Sequence, residues 1–286
     1  MKIGIIGLGL IGGSLGRTIV NRTNDQVYAF DISKKAMLDG RLLCAYHKEL
    51  TKDNIGEMDV VVFSLYPEAL EDALNEYCPL LKEGCLVMDC CGNKRRVVKQ
   101  MQALSKKHPT LDFISAHPMA GREFSGVNHS TATLFDKASM ILVPVKADIK
   151  RIAWLKEYSL SIGFGTVVIT TAEKHDEIIA FTSQLAHLVS SAYIKSQTAS
   201  QFMGFSAGSF RDMTRVARLS PEMWAQLTVD NADFLVNEID SIINSLNEYK
   251  TALADKDIDV MRKLLADGNE KKLLSEKMRR SKTNAN

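Results

Sequence analysis

The sequence predicts an α/β domain with a doubly wound parallel sheet, followed by an all-α domain. Three observations carry that expectation. Short apolar runs alternate with amphipathic stretches from Lys2 to Ile169, glycines crowd the turn after the first apolar run, and strand-like runs stop after Thr171. Strands that alternate with helical patterns of about 10–15 residues build βαβ units and therefore a parallel sheet. A length of 286 residues suits roughly two domains. The change of pattern puts their boundary near Thr170, with one domain over 1–170 and the other over 171–286.

The elements follow in order. The run over 2–6 reads as a buried strand, and a helix over 12–21 follows the glycine turn. Further apolar runs predict strands over 26–30, 59–64, 85–89, 112–116, 140–144 and 165–169. Helices are expected over 67–81, 94–108 and 149–162, where apolar residues recur at helical spacing. Beyond Thr171, helical periodicity with few prolines predicts three long helices over 176–200, 221–250 and 257–278.

Composition narrows the function classes. Hydrophobic residues make up 45 % and charged residues 24 %, the balance of a soluble globular chain. The formal net charge is only +2, so no nucleic-acid partner is called for. Basic residues cluster only at Lys271, Lys272, Lys277, Arg279, Arg280 and Lys282, which reads as a solvated helix end fraying at the terminus. The five cysteines, Cys44, Cys78, Cys85, Cys90 and Cys91, show neither metal-pair spacing nor an even secreted framework. Several sit in apolar context, so a reducing, cytoplasmic location is expected. No signal peptide and no run of about 20 apolar residues is present, so no membrane partner is expected either.

Gly7, Gly9 and Gly12 give G-x-G-x-x-G directly after the first strand, with Leu10 and Ile11 opening the next helix. The pattern supplies a tight turn, close approach of backbone to a pyrophosphate, and tight helix–strand packing. By itself it is weak, but it follows a strand, opens a helix, and has Asp31 at the end of the second strand, about 20 residues on. An acid there accepts hydrogen bonds from a ribose 2′-hydroxyl and repels a 2′-phosphate. A Rossmann-type domain binding NAD rather than NADP is therefore expected, although Lys34 and Lys35 lie close by. Ser64 ends the third strand at the same sheet edge, either beside the cofactor or as part of the entry to the helix at Pro67.

The segment S-A-H-P-M-A-G-R-E-F-S-G, from Ser115 to Gly126, places His117 at the C-terminal end of the fifth strand. Open α/β sheets gather ligands at that edge. A histidine suits acid–base work near neutral pH, and Gly121 and Gly126 let backbone approach a ligand. A lone histidine is more often structural; its place beside the expected cofactor site makes it a catalytic candidate.

These residues resemble the prephenate and arogenate dehydrogenases of tyrosine biosynthesis. H-P-M-A-G followed by an acid and a later glycine is similar to that family, and the likeness runs from Gly7 to at least Trp224. The resemblance implies that His117 accepts the proton of the substrate's ring hydroxyl while a hydride leaves the same carbon for NAD. The segment S-A-G-S-F-R-D-M-T-R-V-A resembles a family motif whose arginine binds a substrate carboxylate, which points to Arg215. A planar guanidinium suits bidentate carboxylate recognition. Read from spacing alone, Arg215 would instead be a helix-surface partner of Asp212, and Arg211 and Arg218 are weaker candidates on its face.

In T-S-Q-L-A-H, the family's S-H-L-P-H becomes Gln184 and Ala186, with His187 retained. Ser183, His187 and Ser191 would form a polar seam, opposite a packed face of Leu185, Leu188, Val189 and Ala192. His187 and Gln184 are accordingly substrate-binding candidates, with a satisfied core histidine as the other reading of His187. Many relatives read D-x-G-S-x-K where this chain has D-C-C-G-N-K. Gly92 thus stands in place of a serine, and Lys94 reads as a first-turn helix lysine. Pro221 and Trp224 match a P-x-x-W helix start, with Trp224 either lining the site or packed in the core.

The expected activity is NAD-dependent oxidation of prephenate by a homodimer, with catalytic residues His117 and Arg215. On the same resemblance, neither an N-terminal chorismate mutase domain nor a C-terminal regulatory domain is expected. Two rivals stand beside it. One is another β-hydroxyacid or imine oxidoreductase, which would need a lysine-centred motif not found in the helical half. The other is a non-catalytic NAD sensor.

Overall fold

The computed structural model of the protein describes residues 1–122 and 124–283, with side chains as far as 278. Eight strands form one sheet: β1 (Lys2–Ile6), β2 (Gln26–Phe30), β3 (Lys48–Glu49), β4 (Val60–Phe63), β5 (Leu86–Asp89), β6 (Asp112–Pro118), β7 (Ser139–Lys146) and β8 (Thr166–Ile169). Their order is β3-β2-β1-β4-β5-β6-β7-β8. Helices α1 (Leu10–Arg22), α2 (Lys34–Leu42), α3 (Pro67–Tyr77), α4 (Arg95–Lys107) and α5 (Ile149–Ser161) lie between strands. The all-helical remainder is α6 (Ala172–Ile179), α7 (Ala186–Tyr193), α8 (Gly208–Thr214), α9 (Pro221–Val229), α10 (Ala232–Ala254) and α11 (Ile258–Thr283).

The doubly wound architecture predicted from the sequence is present. Along β4, Val60 and Val62 join one core cluster while Val61 and Phe63 join another, so the sheet is covered on both faces. The same alternation runs through β5 and β6, where Leu86 and Ile114 face one way and Val87 and Phe113 the other. Cys78 and Cys85 belong to this packing, and burial pushes both thiols up to about 12, which leaves them inert.

Three expectations need correction. The short edge strand β3 was not anticipated, because two residues carry no readable periodicity. The sheet is not wholly parallel, since β6 and β7 pair antiparallel. Among the described residues no crossover helix separates those two strands, which pair antiparallel; α5 restores a parallel crossover between β7 and β8. The helix expected over 176–200 is a continuous helical run that carries a π-type turn and ends at Tyr193, and the one expected over 221–250 is broken. This wide π-type turn (Ala180–Leu185) joins α6 to α7, and α9 stops at Val229 before α10 begins.

The chain divides into compact units of residues 1–232 and 233–286. The second is an antiparallel helical hairpin. Lys256, with φ 55°, closes α10 in a left-handed turn, and Asp257 Oδ1 caps α11 by accepting from the N–H groups of Asp259 and Val260 at 3.0 and 2.9 Å. Its basic end pairs along its own helix, Lys271 with Asp267 and Lys272 with Glu276. The side chains of Arg279, Arg280 and Lys282 lie outside the described residues. No helix among the described residues is long and apolar enough to cross a membrane.

Candidate active site

The β1–α1 turn is built by sterics. Gly7 has φ 98°, and a Cβ there would lie 2.3 Å from the Ser64 carbonyl oxygen. A Cβ on Gly12 would lie 2.0 Å from the carbonyl oxygen of Gly7. Neither position admits a side chain. Gly9, the N-cap of α1, differs: a Cβ there meets nothing within 4 Å, and no side chain caps the helix. The open side of the turn, with the N–H groups at Leu10 and Ile11 in the first helical turn, is therefore a cradle for an anion such as a pyrophosphate.

Asp31 is fixed at the end of β2. Its Oδ2 accepts from the N–H of Leu8 at 2.7 Å, and its Oδ1 from that of Ser33 at 2.8 Å. Each oxygen keeps a lone-pair direction for a ribose hydroxyl. Ser64 follows β4, donates its N–H to the Ile6 carbonyl at 2.8 Å, and stands half-buried beside Gly12. The residues present thus fit a bound dinucleotide.

His117 is the last residue but one of β6, two residues beyond Ser115, which pairs with Asp89 of β5, and so reaches the same sheet edge. Its Nδ1 lies 2.9 Å from Nε2 of His175, whose own Nδ1 lies 2.7 Å from Asp176 Oδ1. His175 and Asp176 open α6, where Thr171 caps the helix by accepting from the Lys174 N–H. Both are buried. Asp176 in turn accepts from the N–H groups of Lys94 and Arg95, at 2.8 and 2.9 Å, and so caps α4 from outside.

A buried ion pair lies behind His117. Lys94 and Asp89 are 0 % exposed and 2.6 Å apart. Lys94 Nζ also donates to the Ala116 carbonyl at 2.6 Å, and Asp89 accepts from Ser115 Oγ at 2.5 Å and from the N–H of Cys91 at 2.8 Å. The first-turn helix lysine expected at 94 is instead a core cation, because an acid on the neighbouring strand and a β6 carbonyl satisfy it where water cannot reach.

These surroundings hold both histidines neutral. Burial, then His175, then the Lys94 charge depress the His117 pKa well below the ordinary histidine value. Burial likewise lowers His175, against the opposing pull of Asp176. Burial works against ionisation of Asp176. The hydrogen bonds from His175 and from the Arg95 and Lys94 backbone together outweigh it and leave the carboxyl below its usual range. Stability follows from the sign. Above about pH 6.5 the histidines are neutral folded and unfolded. Below it, the unfolded chain takes up protons that the folded site refuses, so stability falls as pH falls. We therefore expect a lower urea midpoint at pH 5.5 than at pH 7.5; an equal or higher midpoint at pH 5.5 contradicts this account.

The helical residues group differently from their sequence spacing. Gln184 lies in the π-type turn and is buried, donating to Asn93 Oδ1 at 2.9 Å and the Leu227 carbonyl at 3.1 Å. Asn231 donates to Gln184 Oε1 at 2.8 Å and to the Asp176 carbonyl at 2.9 Å, which links Gln184 to the His175–Asp176 pair. Drawing Gln184 inward accounts for the extra residue in the turn, a distortion frequent at functional sites. The packed face expected on α7 is only partly present: Leu185 is buried, Leu188 and Val189 are half-buried, and Ala192 is exposed. A Cβ on Gly92 would meet the Leu227 side chain of α9 at 3.2 Å, so a serine there would need that side chain to shift by a few tenths of an ångström.

His187 donates from Nδ1 to the Ser183 carbonyl at 2.8 Å and packs against Trp224, ring centroids 4.2 Å apart. Arg215, exposed, stands at the C-cap of α8, which Ser190 of α7 ties down through the Met213 carbonyl at 2.7 Å. Arg218 lies over the Phe124 ring, 5.8 Å from its centroid, joining the loop after His117 to the segment after α8. Glu123 lies outside the described residues. His175, Asp176, Asn93 and Asn231 were not singled out from sequence. An adjacent His–Asp pair at the start of an apolar helix, just past the last strand, was the available signal.

Comparison with known proteins agrees with this geometry. The family described as prephenate dehydrogenase, nucleotide-binding domain, matches residues 15–169, and the prephenate dehydrogenase dimerization domain matches residues 171–267. A cyclohexadienyl dehydrogenase of Zymomonas mobilis is 31 % identical over 270 residues, covering 91 % of this chain and 90 % of that protein. A prephenate dehydrogenase of Bacillus subtilis is 27 % identical over 266 residues, covering 89 % and 71 %. The structure of prephenate dehydrogenase from A. aeolicus, in complex with hydroxyphenyl propionate and NAD+, superposes with a TM-score of 0.80 at 23 % identity, covering 97 % of this chain and 98 % of that one.

Proposed function

Because the chain belongs to the prephenate dehydrogenase family, we propose that it oxidatively decarboxylates prephenate to 4-hydroxyphenylpyruvate, with NAD as hydride acceptor, in tyrosine biosynthesis. The observation that carries the reading is a neutral histidine, His117, at the sheet edge that also holds the open glycine cradle and Asp31. NAD fits because Gly9 leaves room for its pyrophosphate and Asp31 offers the ribose contact; Leu10, Ile11 and Ser64 complete that side of the site. When bound, it supplies the acceptor for the hydride.

The chain's own residues do the rest. His117 takes the proton of the ring hydroxyl as the carbon bearing it becomes a carbonyl-like centre. Cleavage of the bond to the ring carboxylate releases carbon dioxide, and its electron pair completes the aromatic ring as a phenolate, which takes its proton back from the His117 imidazolium. Burial, with His175 and then the Lys94 charge adding to it, keeps His117 neutral before the reaction and hence able to accept. Arg215 holds a substrate carboxylate, His187 and Trp224 line the substrate, and Gln184 supports them from beneath through its buried network. The assembly is a homodimer through the helical half, residues 171–286, of a chain whose nucleotide-binding half is 1–170. Exposed apolar side chains such as Ile243, Leu246, Leu253 and Leu265 support that association.

The test is NADH absorbance after mixing the protein with NAD and either prephenate or arogenate. Fast NADH formation with prephenate supports the reading, and faster formation with arogenate shifts the substrate within the same family. No NADH with either, while NAD still binds, overturns it in favour of a sensor. Arg215→Ala should lower kcat/KM about 10- to 10²-fold, mostly through KM, as expected for loss of one charge-assisted hydrogen-bonded pair. An unchanged KM removes Arg215 from the site.

A further inference from the structure

We infer that His175 and Asp176 are positioning residues that fix the tautomer of His117, so that its Nε2 presents a lone pair to the substrate hydroxyl. The inference rests on His117 being the base. It follows from donor and acceptor assignment along one chain of contacts.

The chain is anchored at Asp176. Its Oδ1 accepts from the Lys94 N–H at 2.8 Å, and its Oδ2 from the Arg95 N–H at 2.9 Å and from Arg95 Nε at 3.3 Å. With both oxygens committed as acceptors at the N-terminus of α4, the group is an ionised carboxylate. His175 Nδ1, 2.7 Å from Oδ1, must therefore carry a hydrogen. A neutral imidazole protonated at Nδ1 has its lone pair at Nε2, and that atom lies 2.9 Å from Nδ1 of His117. Two lone pairs facing each other at this distance would repel, so His117 Nδ1 carries a hydrogen and donates it. The remaining nitrogen of His117, Nε2, is left as an acceptor.

The opposite arrangement would be inactive. A neutral His117 with its hydrogen on Nε2 has no lone pair there to take a proton. After transfer, His117 is an imidazolium whose Nδ1–H still points at His175, and the Asp176 carboxylate lies behind to balance the charge. At 2 % exposure His175 offers no surface to a substrate, so it acts through His117. The fold holds the chain rigidly: Asn231 ties the Asp176 carbonyl, and the first turn of α6 follows β8 directly. A catalytic histidine oriented through a buried acid obeys the same logic in serine hydrolases, where the acid holds the correct tautomer.

The experiment is 15N NMR of histidine-labelled protein at pH 7.5, with the His117 ring assigned by its absence in His117→Asn. The ring should be protonated at Nδ1 and bare at Nε2. His175→Gln keeps an amide oxygen for the Nδ1–H, so it should retain that tautomer and hold kcat within about tenfold of wild type. His175→Leu removes the acceptor; the tautomer should be lost and kcat should fall about 10²-fold or more, with the Kd for NAD unchanged. A hydrogen on Nε2 of His117 in the wild-type protein overturns the proposal, and so does a His175→Leu variant with wild-type kcat. The wild-type spectrum decides the matter even if His175→Leu fails to fold. Failure of the wild-type enzyme to oxidise either substrate sinks the functional reading instead and leaves the tautomer measurement standing.

Discussion

Replacing His117 by asparagine should lower turnover about 10³-fold and leave NAD binding at its wild-type strength. Asparagine keeps a donor near the position of Nδ1 and can still face His175, so the buried chain behind the site stays intact. What it lacks is a nitrogen that can accept a proton. Because burial and the Lys94 charge hold the histidine neutral, the wild-type base is available across the physiological range and its loss is not masked by partial protonation. The comparison needs two readings on one sample, NADH formation and NAD affinity by titration calorimetry. Wild-type turnover in the variant would remove His117 from the chemistry. Loss of NAD binding together with turnover would move it to the cofactor site.

The second large effect falls on stability. Lys94→Met should destabilise the protein by about 3–5 kcal/mol, because it leaves a carboxylate buried without its cation. Asp89 is 0 % exposed, and its remaining partners, Ser115 Oγ and two backbone N–H groups, do not neutralise its charge. Removing both partners together, as Lys94→Met with Asp89→Leu, should recover much of that loss, since a buried ion pair replaced by apolar side chains is often near neutral. Urea denaturation of the wild type and the two variants measures this. If Lys94→Met alone unfolds at the wild-type midpoint, the ion pair is not what closes the β5–β6 edge. Removing the Lys94 charge also relieves one cause of the depressed His117 pKa, so the variant's base should titrate closer to an ordinary histidine.

Much of this was legible before any coordinates. Val60, Val61 and Val62 announce a strand buried on both faces, and burial on both faces requires crossover helices. Gly7, Gly9 and Gly12 announce a tight turn; the distances to the Ser64 and Gly7 oxygens give the steric reason at Gly7 and Gly12, while Gly9 faces open space. Asp31 follows because parallel pairing of β1 with β2 puts the end of one beside the end of the other. His117 follows because a strand ends at the edge where the others end.

What the chain's order did not reveal is which polar groups meet. Periodicity reports that a face is buried and is silent on the partner across it. Lys94 looks like any first-turn lysine until Asp89 and the Ala116 carbonyl are found around its ammonium group. Gln184 reads only as a replacement for a family histidine, and nothing in its spacing announces Asn93 and Asn231 as its partners within the widened helix turn. Gly92 looks like a missing hydroxyl until Leu227 is found against it. His175 reaches His117 across 58 residues and Asp176 reaches Lys94 across 82, separations over which local spacing carries no information. The sequence by itself determined the sheet, the glycine cradle and the place of His117 at the sheet edge. The tertiary structure decided what surrounds His117, namely its burial, His175 at 2.9 Å and the Lys94–Asp89 pair behind it, because only packing brings those partners within reach.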